Sequence, residues 1–235
     1  MASTSTVPAS HAALVEELGR RIAGGALPAG TTMTAGTLER EYGASRTVVR
    51  ESVRVLEAHG LVASRRRVGI VVRPREEWDH LDANVIEWAL DGPRRAEVLR
   101  DLTQLRAAVE PMAARLSALH ARDEDRAELL RLATRLRDLG SVGLGDGDDY
   151  LEADIAYHSL LLRSGGNALY ARLASPIAEI LRGRASRGLT PGIPHVGTLE
   201  AHVATAEAIS RGDADAAEGS AREHLTLVSG EVGAA

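Results

Sequence analysis

The sequence predicts a mostly α-helical protein in two parts, a small N-terminal unit of three helices closed by a β-hairpin and an all-α bundle of six or seven helices. Apolar residues recur at helical spacing along nearly all of the 235 residues. Strand-like β-branched runs occur only at 61–64 and 69–72. Charge divides the same way. Residues 1–75 hold 11 Arg, 6 Glu and no Asp, while the rest holds 17 Arg against 27 acids. Every cation is arginine, because the chain contains no lysine. A basic start on an acidic body points to a polyanion partner for the first part alone. The absence of cysteine excludes disulfides, thiolate metal sites and cysteine nucleophiles. Residues 1–10 form a Ser/Thr/Pro-rich tail without the pattern of a signal peptide. No apolar run approaches the roughly 18 residues of a membrane span, so a soluble cytoplasmic protein without a membrane partner is expected.

In residues 11–24, Leu14, Leu18 and Ile22 make the stripe of an amphipathic helix, which Gly24, Gly25 and Pro28 end. A short second helix fits 36–42 and stops at Gly43. Ser45 is a good N-cap for a third, whose Val48, Val49, Val53 and Leu56 keep the helical period up to Gly60. The two β-branched runs then bracket a basic turn. This is the element order of a winged helix-turn-helix over 11–73. The first turn of the third helix carries Ser45, Arg46, Thr47 and Arg50, where recognition helices contact base edges and where arginine can bond guanine in two places. The hairpin turn carries Arg65, Arg66 and Arg67, suited to phosphate or minor-groove contact.

The stretches ALPAGTTM, TLEREYGASRTVVRESVRVLEAHGLV and VGIVV resemble the DNA-binding domain of GntR-type bacterial transcription regulators. The most specific part is Ser45 to Glu51. The resemblance implies that Arg46 and Arg50 read bases. The chain departs from many relatives in having Gly36 where they carry arginine and Arg67 where they carry a wing-tip glycine.

Arg73-Pro74-Arg75 reads as a joint, and 74–93 as a linker with a helix whose Trp78, Leu81, Val85 and Trp88 pack. From 94 to 230 the pattern is helical. Val98, Leu102, Leu105, Val109, Met112, Leu116 and Leu119 alternate in fours and threes, the seam of a packed helix. Further helices fit 123–139, 149–164, 167–186, 196–210 and 213–230.

Asp154 and His158 are four apart and project from one apolar helix face. His202 and His224 stand ten residues before and twelve after Gly212, roughly 15 and 18 Å along their helices at about 1.5 Å per residue. An antiparallel hairpin sets them nearly opposite each other, on inward stripes. Four polar side chains on buried faces need compensation. One divalent metal held by a carboxylate and three imidazoles provides it, with zinc first and nickel or manganese as alternatives. His11, His59, His80, His120 and His195 lack such a setting and read as surface or structural residues.

ADIAYHSLLLRSGGNALY, with the EAH of 200–202 and the EHL of 223–225, resembles the metal-binding FCD-type ligand domain of the FadR subfamily of GntR regulators. All four ligand positions implied by the resemblance are filled, by Asp154, His158, His202 and His224. The resemblance also implies a small carboxylate effector near the metal and a homodimer. The Trp78–Trp88 segment is most similar to repressors of sugar-acid catabolism, such as those for galactonate or gluconate. Arg106 borders the seam and is suited to bidentate recognition of the effector carboxylate, with a salt bridge to Glu110 as its other reading.

The expected protein is a homodimeric repressor of a palindromic double-stranded DNA operator, controlled by a small carboxylate. A sensor of the metal itself is the alternative. A helical metalloenzyme is less favoured, since no evident base or nucleophile accompanies the four ligands.

Overall fold

The computed structural model describes residues 10–195 and 197–233. Most of the tail expected at 1–10 therefore lies outside the described residues. The chain forms two compact units, residues 1–95 and 96–235. No helix among the described residues is long and apolar enough to cross a membrane.

The first unit opens with α1 (His11–Ala23), whose N-cap Ser10 accepts a hydrogen bond from the Ala13 amide. β1 (Thr32–Met33) precedes α2 (Ala35–Tyr42), capped by Thr34. α3 (Arg46–Ala58) starts at Ser45, whose hydroxyl accepts from the Val48 amide at 3.3 Å. β2 (Val62–Arg65) and β3 (Gly69–Val72) form the hairpin. The sheet has three antiparallel strands in the order β1-β3-β2, with Thr32 opposite Val71 and Arg65 opposite Gly69. The sequence reading had no β1, because two residues are too few to show alternation. Gly69 is required where it stands, because a side chain there would run into the Met33 carbonyl of β1. The predicted stripes Leu14, Leu18, Ile22 and Val49, Val53, Leu56 all lie in the core.

The linker segment belongs to this unit. A single 3₁₀ turn, Arg75–Glu77, leads to α4 (Ala83–Leu90). The predicted stripe from Trp78 to Trp88 is therefore broken. Asp82 accepts from the Asn84 and Val85 amides, an N-cap that fixes where the helix begins. Leu81 is consequently exposed, and Trp78 packs on the core from outside any helix, its indole donating to the Arg73 carbonyl. Trp88 is buried against α1, where it donates to Glu16 at 2.8 Å and lies over Gly19. Arg20 pairs with Glu16, Glu87 and Asp91 around the same contact.

The second unit is all helical: α5 (Arg95–His120), α6 (Asp123–Ser141), α7 (Asp148–Ser164), α8 (Ala168–Arg172), α9 (Ala174–Ala185), α10 (Thr198–Arg211) and α11 (Ala214–Gly233). The predicted helix over 167–186 divides at Leu173 into α8 and α9. α7 packs on α6 and α9, and α10 on α6 and α11. Gly212, with φ 73°, turns α10 into α11.

α5 keeps the predicted seam at Val98 and Leu102 and departs from it beyond them. Its buried face runs through Val98, Leu99, Leu102, Thr103, Arg106, Glu110, Ala113, Ala114 and Ser117, whereas Met112 and Leu119 are exposed. Small side chains explain this, because they permit close helix approach. Ser117 donates to the Leu161 carbonyl of α7, and a side chain at Gly165 would meet Leu116. A reading weighted by large aliphatic residues selects the other face.

A Cβ at Gly19 would lie 2.5–2.6 Å from the Trp88 ring. Gly19→Ala is therefore expected to loosen α4 from α1 and cost about 1–3 kcal/mol, the usual range for overpacking. Urea unfolding followed by tryptophan fluorescence measures it.

Candidate metal centre and nucleic-acid interface

In the first unit, Ser45, Arg46, Thr47 and Arg50 are exposed at the start of α3, and Arg65, Arg66 and Arg67 at the hairpin tip. A groove of about 670 Å³ separates helix from hairpin and is lined by Arg46, Thr47, Arg50, Arg54 and Arg65. Arg54, one turn beyond Arg50, is absent from the sequence-predicted set. Glu51 accepts from both, from Arg50 Nε at 3.2 Å and Arg54 Nη1 at 3.1 Å. The face is thus cationic but internally tethered. Arg67 has φ 65°, the one non-glycine residue with positive φ among the described residues.

In the second unit, α7, α10 and α11 bring His158, His202 and His224 together, all buried. The rings of His202 and His224 face each other across the α10–α11 hairpin with centroids 4.0 Å apart. His158 Nε2 lies 3.4 Å from His202 Nε2 and 3.2 Å from Asp154 Oδ1, and His202 Nε2 lies 3.7 Å from the same oxygen. Metal–ligand bonds of about 2.0–2.1 Å at tetrahedral angles put neighbouring donor atoms about 3.3 Å apart. The observed separations scatter around that value. His202 Nδ1 is bonded to the Thr198 carbonyl at 3.0 Å, which leaves Nε2 as its inward nitrogen. His224 Nδ1 is buried without a hydrogen-bond partner. An orphaned buried nitrogen beside two inward nitrogens and a carboxylate suits a divalent cation.

Ionisation agrees with this donor set at Asp154, His202 and His224. Burial pushes the Asp154 carboxyl up, but His158, His202 and Arg106 outweigh it and hold it below the usual carboxylate range. Burial drives His202 down to about 4, helped by His158. Burial also drives His224 well below the ordinary histidine range, helped by His202 and His158. Both rings are therefore neutral near pH 7, as ligands must be. His158 moves the other way, because the carboxylates of Glu110 and Asp154 outweigh its burial.

Arg106 is fully buried on α5, and its Nε donates to Glu110 Oε1 at 2.6 Å. Both readings of Arg106 meet here: it pairs with Glu110, and it also lines the cavity beside the histidines. Its Nη2 lies 3.0 Å from His158 Nε2, a contact that an ion bound to that nitrogen displaces. The cavity measures about 50 Å³ and is also lined by Tyr150, Arg184, Thr190 and Pro194. Sequence reasoning missed Arg184 and treated Glu110 only as a partner for Arg106. The i, i+4 spacing of Arg106 and Glu110 was the available signal. Of the remaining histidines, His59 is nearly buried and pairs with Asp82 at 3.1 Å.

Residues 11–72 match the bacterial regulatory proteins of the gntR family, and residues 101–227 match the FCD domain. The chain belongs to the GntR family. The galactonate operon transcriptional repressor of Escherichia coli K12 is 32% identical, over 92% of each chain. The uncharacterized HTH-type transcriptional regulator YieP of the same organism is 30% identical, over 87% of each. Among solved structures, Lar, which controls expression of the Listeria monocytogenes agr system, superposes with a TM-score of 0.57 at 15% identity, covering 95% of this chain and 96% of that one. E. coli McbR/YncC gives a TM-score of 0.53 at 16% identity, over 100% and 99%. These last two share the fold. A GntR regulator is a DNA-binding transcription factor, so the metalloenzyme alternative is set aside.

Left-handed backbone costs a non-glycine residue about 1–2 kcal/mol, and glycine's extra freedom in the unfolded chain returns about 0.4–1 kcal/mol of that. Arg67→Gly is therefore expected to stabilise the first unit by about 0.5–1 kcal/mol while weakening DNA binding at all sequences. Thermal unfolding and the salt dependence of DNA binding check the two opposite signs.

Proposed function

We propose that this GntR regulator is a cytoplasmic homodimeric repressor of a palindromic operator, released when a small hydroxy-carboxylate binds beside a divalent metal. Asp154, His158, His202 and His224 hold the metal, zinc in the first instance, and Arg106 meets the effector carboxylate. Ser45, Arg46, Thr47 and Arg50 face the major groove, and Arg65, Arg66 and Arg67 the backbone or minor groove. The observation that carries this reading is the convergence of three buried imidazoles, a carboxylate and a buried arginine on one cavity. A metal there is a Lewis acid for an anionic oxygen, and the guanidinium supplies the matching donors. The similar galactonate operon repressor supports a sugar acid as the effector class. The cavity of about 50 Å³ admits little more than a carboxylate head, well below the ~300 Å³ of ordinary ligand pockets. A whole sugar acid therefore needs more room than this cavity gives.

The α5 residues Leu105, Val109, Met112, Leu116 and Leu119 keep the seam spacing but line the less buried face, Met112 being 38% and Leu119 51% exposed. An exposed apolar stripe in alternating fours and threes suits a second copy of the chain, and supports the homodimer.

Operator binding is measured with and without sugar acids, before and after chelation. Chelation or His202→Ala is expected to abolish the effector response, lower the melting temperature and leave operator binding largely intact. Release by metal alone, with no sugar acid effective, establishes the metal-sensor alternative instead. Met112→Glu with Leu119→Glu is expected to shift the dimer to monomer in light scattering. A dimer that persists removes the α5 interface.

A further inference from the structure

Glu110 has no part in the assignments above, yet it sits between two groups that do. Its Oε1 accepts from Arg106 Nε at 2.6 Å, and its Oε2 lies 2.9 Å from His158 Nδ1. A carboxylate serving only an arginine usually takes both prongs of the fork at about 2.7–2.9 Å. Here Arg106 Nη2 is 3.4 Å from Oε2, so the second oxygen is given to the histidine. All three side chains are only 2% exposed, so water does not compete for these bonds.

We propose that Glu110 is a positioning residue that makes His158 a metal ligand. By accepting a hydrogen bond from Nδ1–H it fixes the tautomer and the ring. The Nε2 lone pair is then left on the side of Asp154 Oδ1 and His202 Nε2, 3.2 and 3.4 Å away. A carboxylate behind an imidazole also raises its basicity as a ligand. Two of the rings differ in this respect. His158 is backed by a carboxylate and His202 by the Thr198 carbonyl. His158 is thus the anchored ligand, and one carboxylate sets both it and Arg106. The inference rests on the metal reading above and adds a residue to it.

Glu110→Gln alone strands the buried Arg106 charge and is expected to unfold the bundle. The test therefore compares Arg106→Met/Glu110→Gln, whose amide oxygen still accepts from His158 Nδ1, with Arg106→Met/Glu110→Met, which has no acceptor there; neither keeps an unpaired buried charge. Zinc affinity is measured in the full-length chain by competition with a chromophoric chelator. The visible absorption of bound cobalt reports ligand geometry, which a merely structural role does not move. The Glu110→Met double variant is expected to bind zinc about 10–100-fold more weakly than the Glu110→Gln one, the usual effect of losing an outer partner, with a changed cobalt spectrum. Equal zinc affinity and an identical spectrum overturn the proposal, leaving Glu110 as a counter-charge for Arg106. A parent protein that binds neither metal overturns the metal reading itself, and the role of Glu110 with it.

Discussion

Arg106, Glu110, His158 and His202 each have at most 2% of their surface exposed, in the centre of a helical bundle. Placing an arginine and a glutamate there costs several kcal/mol per ion before any pairing. Glu110 returns part of that through two short bonds, to Arg106 and His158. The surrounding helices must then hold those atoms in place, because removing any one partner leaves a buried charge uncompensated. This explains the small residues along α5. Ser117 brings α5 against α7 by donating to the Leu161 carbonyl, while Thr103 and Ser117 also bond their own helix at Leu99 and Ala113. The second unit in this sense packs its apolar helices around a polar centre.

The same side-chain type serves opposite ends in the two units. At the start of α3 the arginines are solvent-facing, and Arg50 and Arg54 lean on Glu51, pairings worth little at the surface and easily exchanged for phosphate or base edges. Arg106 is locked in a buried pair instead. Burial would lower its affinity for its proton, yet the Glu110 carboxylate beside it more than offsets this. An exposed ion pair can be traded for a ligand at small cost. A buried one sets geometry and resists exchange.

Much of this was legible in the sequence, and the exceptions have physical causes. Ser45, Gly60 and the β-branched runs place α3 and the hairpin because capping and turn chemistry are local. The inward stripes Leu199, His202, Ala206, Ile209 and Ala217, Ala221, His224, Val228 are all buried, since both helices follow one period about one glycine turn. β1 escaped because two residues carry no period. Beyond Leu102, α5 was read on the wrong face because its large aliphatic residues there lie toward the outside and its small ones inside. Glu110 was read only as a salt-bridge partner for Arg106, because a four-residue spacing does not show which group on another helix a carboxylate also meets. The linker helix began late because Asp82 caps it, a signal outweighed by the tryptophan spacing.

Trp78 and Trp88 are the chain's two tryptophans, and both belong to the first unit. Phenylalanine is absent, and the second unit absorbs through tyrosines alone, among them Tyr150 and Tyr157 at the polar centre. Red-edge excitation of the intact protein therefore selects emitters on the DNA-binding side, without any introduced label. Trp88 is sealed against Gly19 and bonded to Glu16, so its emission is sensitive to the seating of α4. Any change of that emission when a small molecule is added is then a report from the first unit alone.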